Sequence, residues 1–94
     1  MEIHFTTQIF KEGRTFVAHT PELDVSSCGG TKERAAKNLK EAVRLFLDEA
    51  AKMGTLDQIL AEAGYLKRNR ALEGPKFIGT QRASLPLPLE HAKA

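Results

Sequence analysis

Apolar and polar residues alternate from the start of the chain. Ile3, Phe5, Thr7 and Ile9 interleave with His4, Thr6 and Gln8, the period-two pattern of a strand with one buried face. Lys11-Glu12-Gly13-Arg14 breaks the pattern with a glycine able to take the positive φ of a hairpin turn. Thr15 to His19 predicts the returning strand, rich in β-branched and aromatic residues. Pro21 has no N–H for a ladder, so Thr20 to Glu22 is expected as a corner. Leu23 to Cys28 then predicts a third strand, closed by Gly29-Gly30. The simplest arrangement is a three-stranded antiparallel meander.

The period changes after the glycines. Ala35, Leu39, Ala42, Val43, Phe46, Ala50 and Met53 fall at steps of three or four, the apolar stripe of a helix of about 22 residues. Thr31 is its N-cap and Gly54 its stop. At 1.5 Å per residue the helix would run about 33 Å, enough to cross the sheet. Thr55 and Gln58 have capping-box spacing for a short second helix bearing Ile59, Leu60 and Ala63, with Gly64 at its end. From Lys76 to Leu85, Phe77, Gly79, Gln81, Ala83 and Leu85 alternate with Ile78, Thr80, Arg82 and Ser84, which predicts a fourth strand. Pro86 and Pro88 confine it to an edge or a partner contact. The expectation is an α+β fold: one domain over residues 1–85, a tail over 86–94 and no separate DNA-binding domain.

Composition fits this picture. A chain of 94 residues holds one small domain and gains from a partner subunit, since its core is small. A charged fraction of 28% with net charge +2 argues against disorder and against a histone-like polycation. The charge is uneven, with −2 over residues 1–64 and +4 over 65–94. Lys67, Arg68 and Arg70 head the basic part, either as a solvated connection or as a phosphate-binding footprint. No basic, apolar leader and no membrane-length apolar run occurs, so a soluble cytoplasmic protein is expected.

Candidate chemistry is sparse. One cysteine, Cys28, excludes a disulfide framework; a small buried strand residue is its simplest role. His4, His19 and His91 fit no zinc-ligand spacing, although His4 and His19 could face each other across the hairpin. Gly29-Gly30-Thr31 before a helix could hold an anion, but a turn and an N-cap account for it without one. No catalytic residue, cofactor or metal site is expected.

The stretch from Phe16 to Leu47, FVAHTPELDVSSCGGTKERAAKNLKEAVRLFL, resembles the HicB family, the antitoxin half of bacterial and archaeal toxin–antitoxin pairs. The resemblance rests on the hairpin, Pro21-Glu22-Leu23, the Ser/Gly turn and the long helix with Asn38-Leu39-x-Glu41-Ala42. It extends into Gly54-Thr55-Leu56 and Glu62-Ala63-Gly64-Tyr65, about two-thirds of the chain. It implies a partial ribonuclease-H-like fold without a working nuclease site, and binding to a HicA-like, RNA-cleaving toxin. It also implies self-association as a homodimer or larger homo-oligomer. Nothing reproduces an aspartate centred in the first strand, where Phe5 and Thr7 stand, so Glu2, Glu22, Asp24, Asp48 and Glu49 are not expected to catalyse.

Many HicB chains carry a helix-turn-helix or ribbon-helix-helix module for their operator. The nine residues after Leu85, two of them proline, are too few for either, so direct DNA binding by such a module is not expected. On this reading the acidic corner Glu22, Leu23 and Asp24 and the terminal strand with Phe77, Gln81, Arg82 and Leu85 form the partner interface. A nucleic-acid-binding regulator using the basic segment is the alternative, and an orphan domain that has lost its toxin is a third possibility.

Overall fold

A computed structural model of the chain describes residues 1–88. The expected first strand is two strands, β1 (Glu2–His4) and β2 (Gln8–Glu12), with residues 5–7 outside both. β3 (Thr15–Thr20) and β4 (Val25–Gly29) follow, and β2, β3 and β4 form the expected antiparallel meander. Gly13 turns the first hairpin at φ +63°, and Glu12 pairs with Thr15 beside it. The β3–β4 turn holds Asp24 at φ +54°, where its N–H donates to the Thr20 carbonyl at 2.8 Å. β4 therefore starts at Val25, two residues later than the sequence pattern indicates.

The long helix α1 (Lys32–Met53) lies on β3 and β4 and buries Ala35, Leu39, Val43 and Ala50. Thr31 caps it, its hydroxyl accepting from the Arg34 N–H at 3.0 Å. Gly54 ends it at φ +74°, a left-handed conformation that suits glycine. The helix sits so close to β4 that a Cβ on Gly29 would stand 2.8 Å from the Ala35 backbone nitrogen. The Asn38 side-chain amide donates to the Cys28 carbonyl at 2.8 Å, a second tie between helix and strand.

The short helix α2 (Leu56–Glu62) forms without the capping box. The Thr55 hydroxyl points back to the Ala50 carbonyl, 3.4 Å away, and the Gln58 amide donates to Glu62 at 3.1 Å. With Thr55 directly after Gly54, its hydroxyl helps close the end of α1 and does not begin α2.

The expected strand over 76–85 is absent, and the terminal strands lie earlier. β5 (Leu66–Arg68) and β6 (Ala71–Glu73) form a hairpin around Asn69, which has φ +55°. β6 pairs in parallel with β1, matching Glu2 with Ala71, Ile3 with Leu72 and His4 with Glu73. The ladder stops at Gly74-Pro75, because proline offers no N–H and Pro75 packs on Gly64. Residues 76–88 are exposed and belong to neither sheet.

The architecture is thus α+β, with two three-stranded sheets, β2-β3-β4 and β1-β6-β5, and two helices among the described residues. Ala18, Leu23, Ala35, Leu39, Val43, Leu60 and Tyr65 form the core, flanked by Ile3, Phe5, Phe16, Val25, Leu47, Leu56, Ala63 and Leu72. Among the described residues no helix is long and apolar enough to cross a membrane.

Candidate functional site

The acidic corner lies where β1 gives way to β2. Thr6, between these strands, turns its backbone N–H to both Glu22 carboxylate oxygens at 3.0 Å, and its hydroxyl donates to one of them at 2.7 Å. The Thr20 hydroxyl donates to the other at 2.9 Å. A side chain thereby supplies the acceptor that a neighbouring strand would otherwise provide. Thr20 is fully buried, and Glu22 is its hydrogen-bond partner.

Burial alone would push the Glu22 pKa up. Hydrogen bonds from Thr6, from its own amide and from Thr20 outweigh that and hold it below the ordinary carboxylate value. Tyr65 stands behind the carboxylate, with its hydroxyl donating to the His4 carbonyl at 2.8 Å. Desolvation, reinforced by the Glu22 charge, pushes the Tyr65 pKa up to about 12, so the phenol stays protonated as a donor. Gly74 closes the cluster: a Cβ there would lie 3.1 Å from the Tyr65 ring and 3.2 Å from the Glu22 side chain.

This arrangement divides the corner predicted from sequence. Leu23 is 8% exposed and belongs to the core, and Glu22 is committed to Thr6 and Thr20. Asp24 is the outward-facing member, its side chain 92% exposed and 2.9 Å from His19 Nε2. Phe77, Gln81, Arg82 and Leu85 are exposed on an extended segment and do not form a ladder. The terminal segment is therefore not the sheet-edge strand expected of it. Thr6 and Tyr65, which complete the corner with Thr20, do not stand out in the sequence pattern. The usable signal is Thr20, a polar residue at the inward-facing end of an apolar strand.

The remaining candidates are dispersed. His4 pairs with Glu73 and His19 with Gln8 and Ser26, so the two histidines do not face each other across the hairpin. His91 lies outside the described residues. Cys28 is exposed, contrary to the buried role expected for it, because β4 turns Ser26 and Cys28 away from α1. Glu2 and Asp48 line a groove between β1 and α1 that has Ile3, Phe5, Val43 and Leu47 among its lining residues. Among the described residues no three His, Cys, Asp or Glu side chains gather at one point. Lys67, Arg68 and Arg70 share the exposed β5–β6 hairpin, with Arg68 3.9 Å from Glu73.

What the arrangement offers chemically is a carboxylate immobilised as a structural acceptor beside an exposed Asp24–His19 pair. No family model matches the chain, and no curated protein or solved structure does either.

Proposed function

We propose that this chain is a HicB-type antitoxin that inhibits an mRNA-cleaving, HicA-like toxin by direct contact and performs no chemistry of its own. The observation that carries the reading is the junction of β4 and α1. There the resembling stretch supplies both sides of a tight strand–helix contact, with no room for a side chain at Gly29 against Ala35 and with Asn38 bonded to Cys28. The residues behind the resemblance are thus also those that set the position of the long helix. The state of Glu22 adds support. A carboxylate saturated by donors from Thr6 and Thr20 holds a corner in shape and is poorly placed to bind a metal or move a proton.

On this account the Asp24–His19 pair is the part of the corner that meets a basic toxin surface, and an anion there takes up space used by RNA phosphate. The test is co-expression with the product of the adjacent reading frame, followed by pull-down. Asp24→Lys should weaken capture at least tenfold with the fold intact; unchanged capture would remove the corner from the interface.

A second reading has an observation in its favour: the β5–β6 hairpin exposes Lys67, Arg68 and Arg70 together. As a nucleic-acid-binding regulator, the protein would bind RNA or DNA with a steep salt dependence that disappears when these three are neutralised. An orphan domain would capture no toxin and bind no nucleic acid.

A further inference from the structure

Two features of the molecule are unmatched within one chain. The first is the arm after Pro75. Residues 76–88 are exposed throughout and include Phe77 at 52%, Ile78 at 89%, Leu85 at 82% and Leu87 at 64%. The described chain measures 50 × 28 × 27 Å, so its long axis is well beyond that of a rounded body of this mass. The arm has the alternation of a strand yet joins no ladder.

The second feature is the outer edge of the meander. β2 is the first strand of its sheet, so one of its sides has no strand beside it. That edge strand exposes Ile9 at 40% and Phe10 at 52%, an apolar pair unusual on an unprotected edge.

The geometry points to reciprocal arm exchange: the Lys76–Leu85 segment of one copy adds as a strand to the β2 edge of a second copy. Donor and acceptor are both segments of this chain, and each lacks what the other supplies. The arm has unpaired backbone groups and apolar side chains; the edge has a free row of the same groups beside Ile9 and Phe10. Pro75, packed on Gly64, interrupts the sheet and fixes where the arm departs. Pro86 and Pro88 limit the pairing segment to residues 76–85 because they cannot donate. Ten extended residues span about 33 Å, more than a strand the length of β2 requires. Two arms on two β2 edges form a closed two-fold dimer, in which neither an arm nor a β2 edge is left to recruit a third copy. The inference does not depend on the toxin reading, since both segments belong to the chain itself.

The test uses full-length protein and complementation. One variant, Phe77→Asp with Ile78→Asp, damages the arm and keeps the edge; the other, Phe10→Lys, damages the edge and keeps the arm. All three positions are exposed, and circular dichroism checks that each variant folds. Sedimentation should give a dimer for the native chain and, for each variant alone, association weakened at least tenfold. An equimolar mixture should regain a heterodimer held by its one intact arm-to-edge contact. A monomeric native chain overturns the inference, including one whose own arm folds back to protect β2. So does a variant that dimerises normally, or a mixture that stays monomeric.

Discussion

Thr6 and Glu22, sixteen residues apart in sequence, are joined by two hydrogen bonds from the Thr6 N–H and one from its hydroxyl, at 3.0, 3.0 and 2.7 Å. The pair explains why one run of alternating residues becomes two strands. At Thr6 the backbone leaves the β1 ladder and has not yet joined the β2 ladder, and the carboxylate bridges the gap. Glu22→Ala removes the acceptor for the N–H, for the Thr6 hydroxyl and for the buried Thr20 hydroxyl. With the site half-buried, a loss of about 1–2 kcal/mol is expected on chemical denaturation. Glu22→Gln keeps one oxygen and should lose less.

The same carboxylate sets a pH dependence. Its pKa is lower in the folded protein than its usual value, so the unfolded chain takes up the proton first as pH falls. The stability it contributes is complete above the ordinary glutamate pKa of about 4.3 and is lost as pH drops below that, through the folded value. Denaturation curves from pH 6 down to 3 should show the native protein losing its advantage over Glu22→Gln in this acidic window. A constant difference between the two would contradict the clamp.

Tyr65→Phe keeps the buried ring and removes the bond to the His4 carbonyl. A cost of about 0.5–1.5 kcal/mol is expected. Faster amide exchange in β1 and β6 should accompany it, because the bond anchors β1 where it meets β6.

Gly29→Ala tests the strand–helix contact. Its methyl would meet the Ala35 nitrogen at 2.8 Å, and the atoms in the way are helix backbone, which cannot swing aside. Overpacking of this kind costs about 1–3 kcal/mol, read as a lower thermal midpoint. Gly30→Ala, with nothing within 4 Å, should be nearly neutral as far as packing is concerned.

Much of the framework was legible in the residues because it depends on local pattern. The Ala35-to-Ala50 stripe, the Thr31 cap and the Gly54 stop define α1 without tertiary information. The hairpin at Gly13 is equally local. The terminal strand was misplaced because alternation marks any extended chain. A strand also needs a partner edge, and β1 offers its edge to Ala71–Glu73, before Pro75. β5 and β6, three residues each, are too short for a period to show. The corner was identified by its charge, but its partners come from residues 16 and two positions away, through side-chain geometry that spacing does not encode. Leu23, expected to open the third strand and to join Glu22 and Asp24 in a partner interface, is core because the turn folds it inward.

On the proposed reading, this protein silences an RNA-cleaving partner by binding to it. The decisive measurement is to titrate the purified chain into an RNA-cleavage reaction run by a HicA-like toxin, taken from the adjacent reading frame if that frame encodes one. Cleavage should fall in proportion to added protein and vanish at a fixed molar ratio, with Asp24→Lys requiring at least tenfold more. Cleavage that continues at any ratio, or RNA cut by this chain alone with magnesium, would contradict the account.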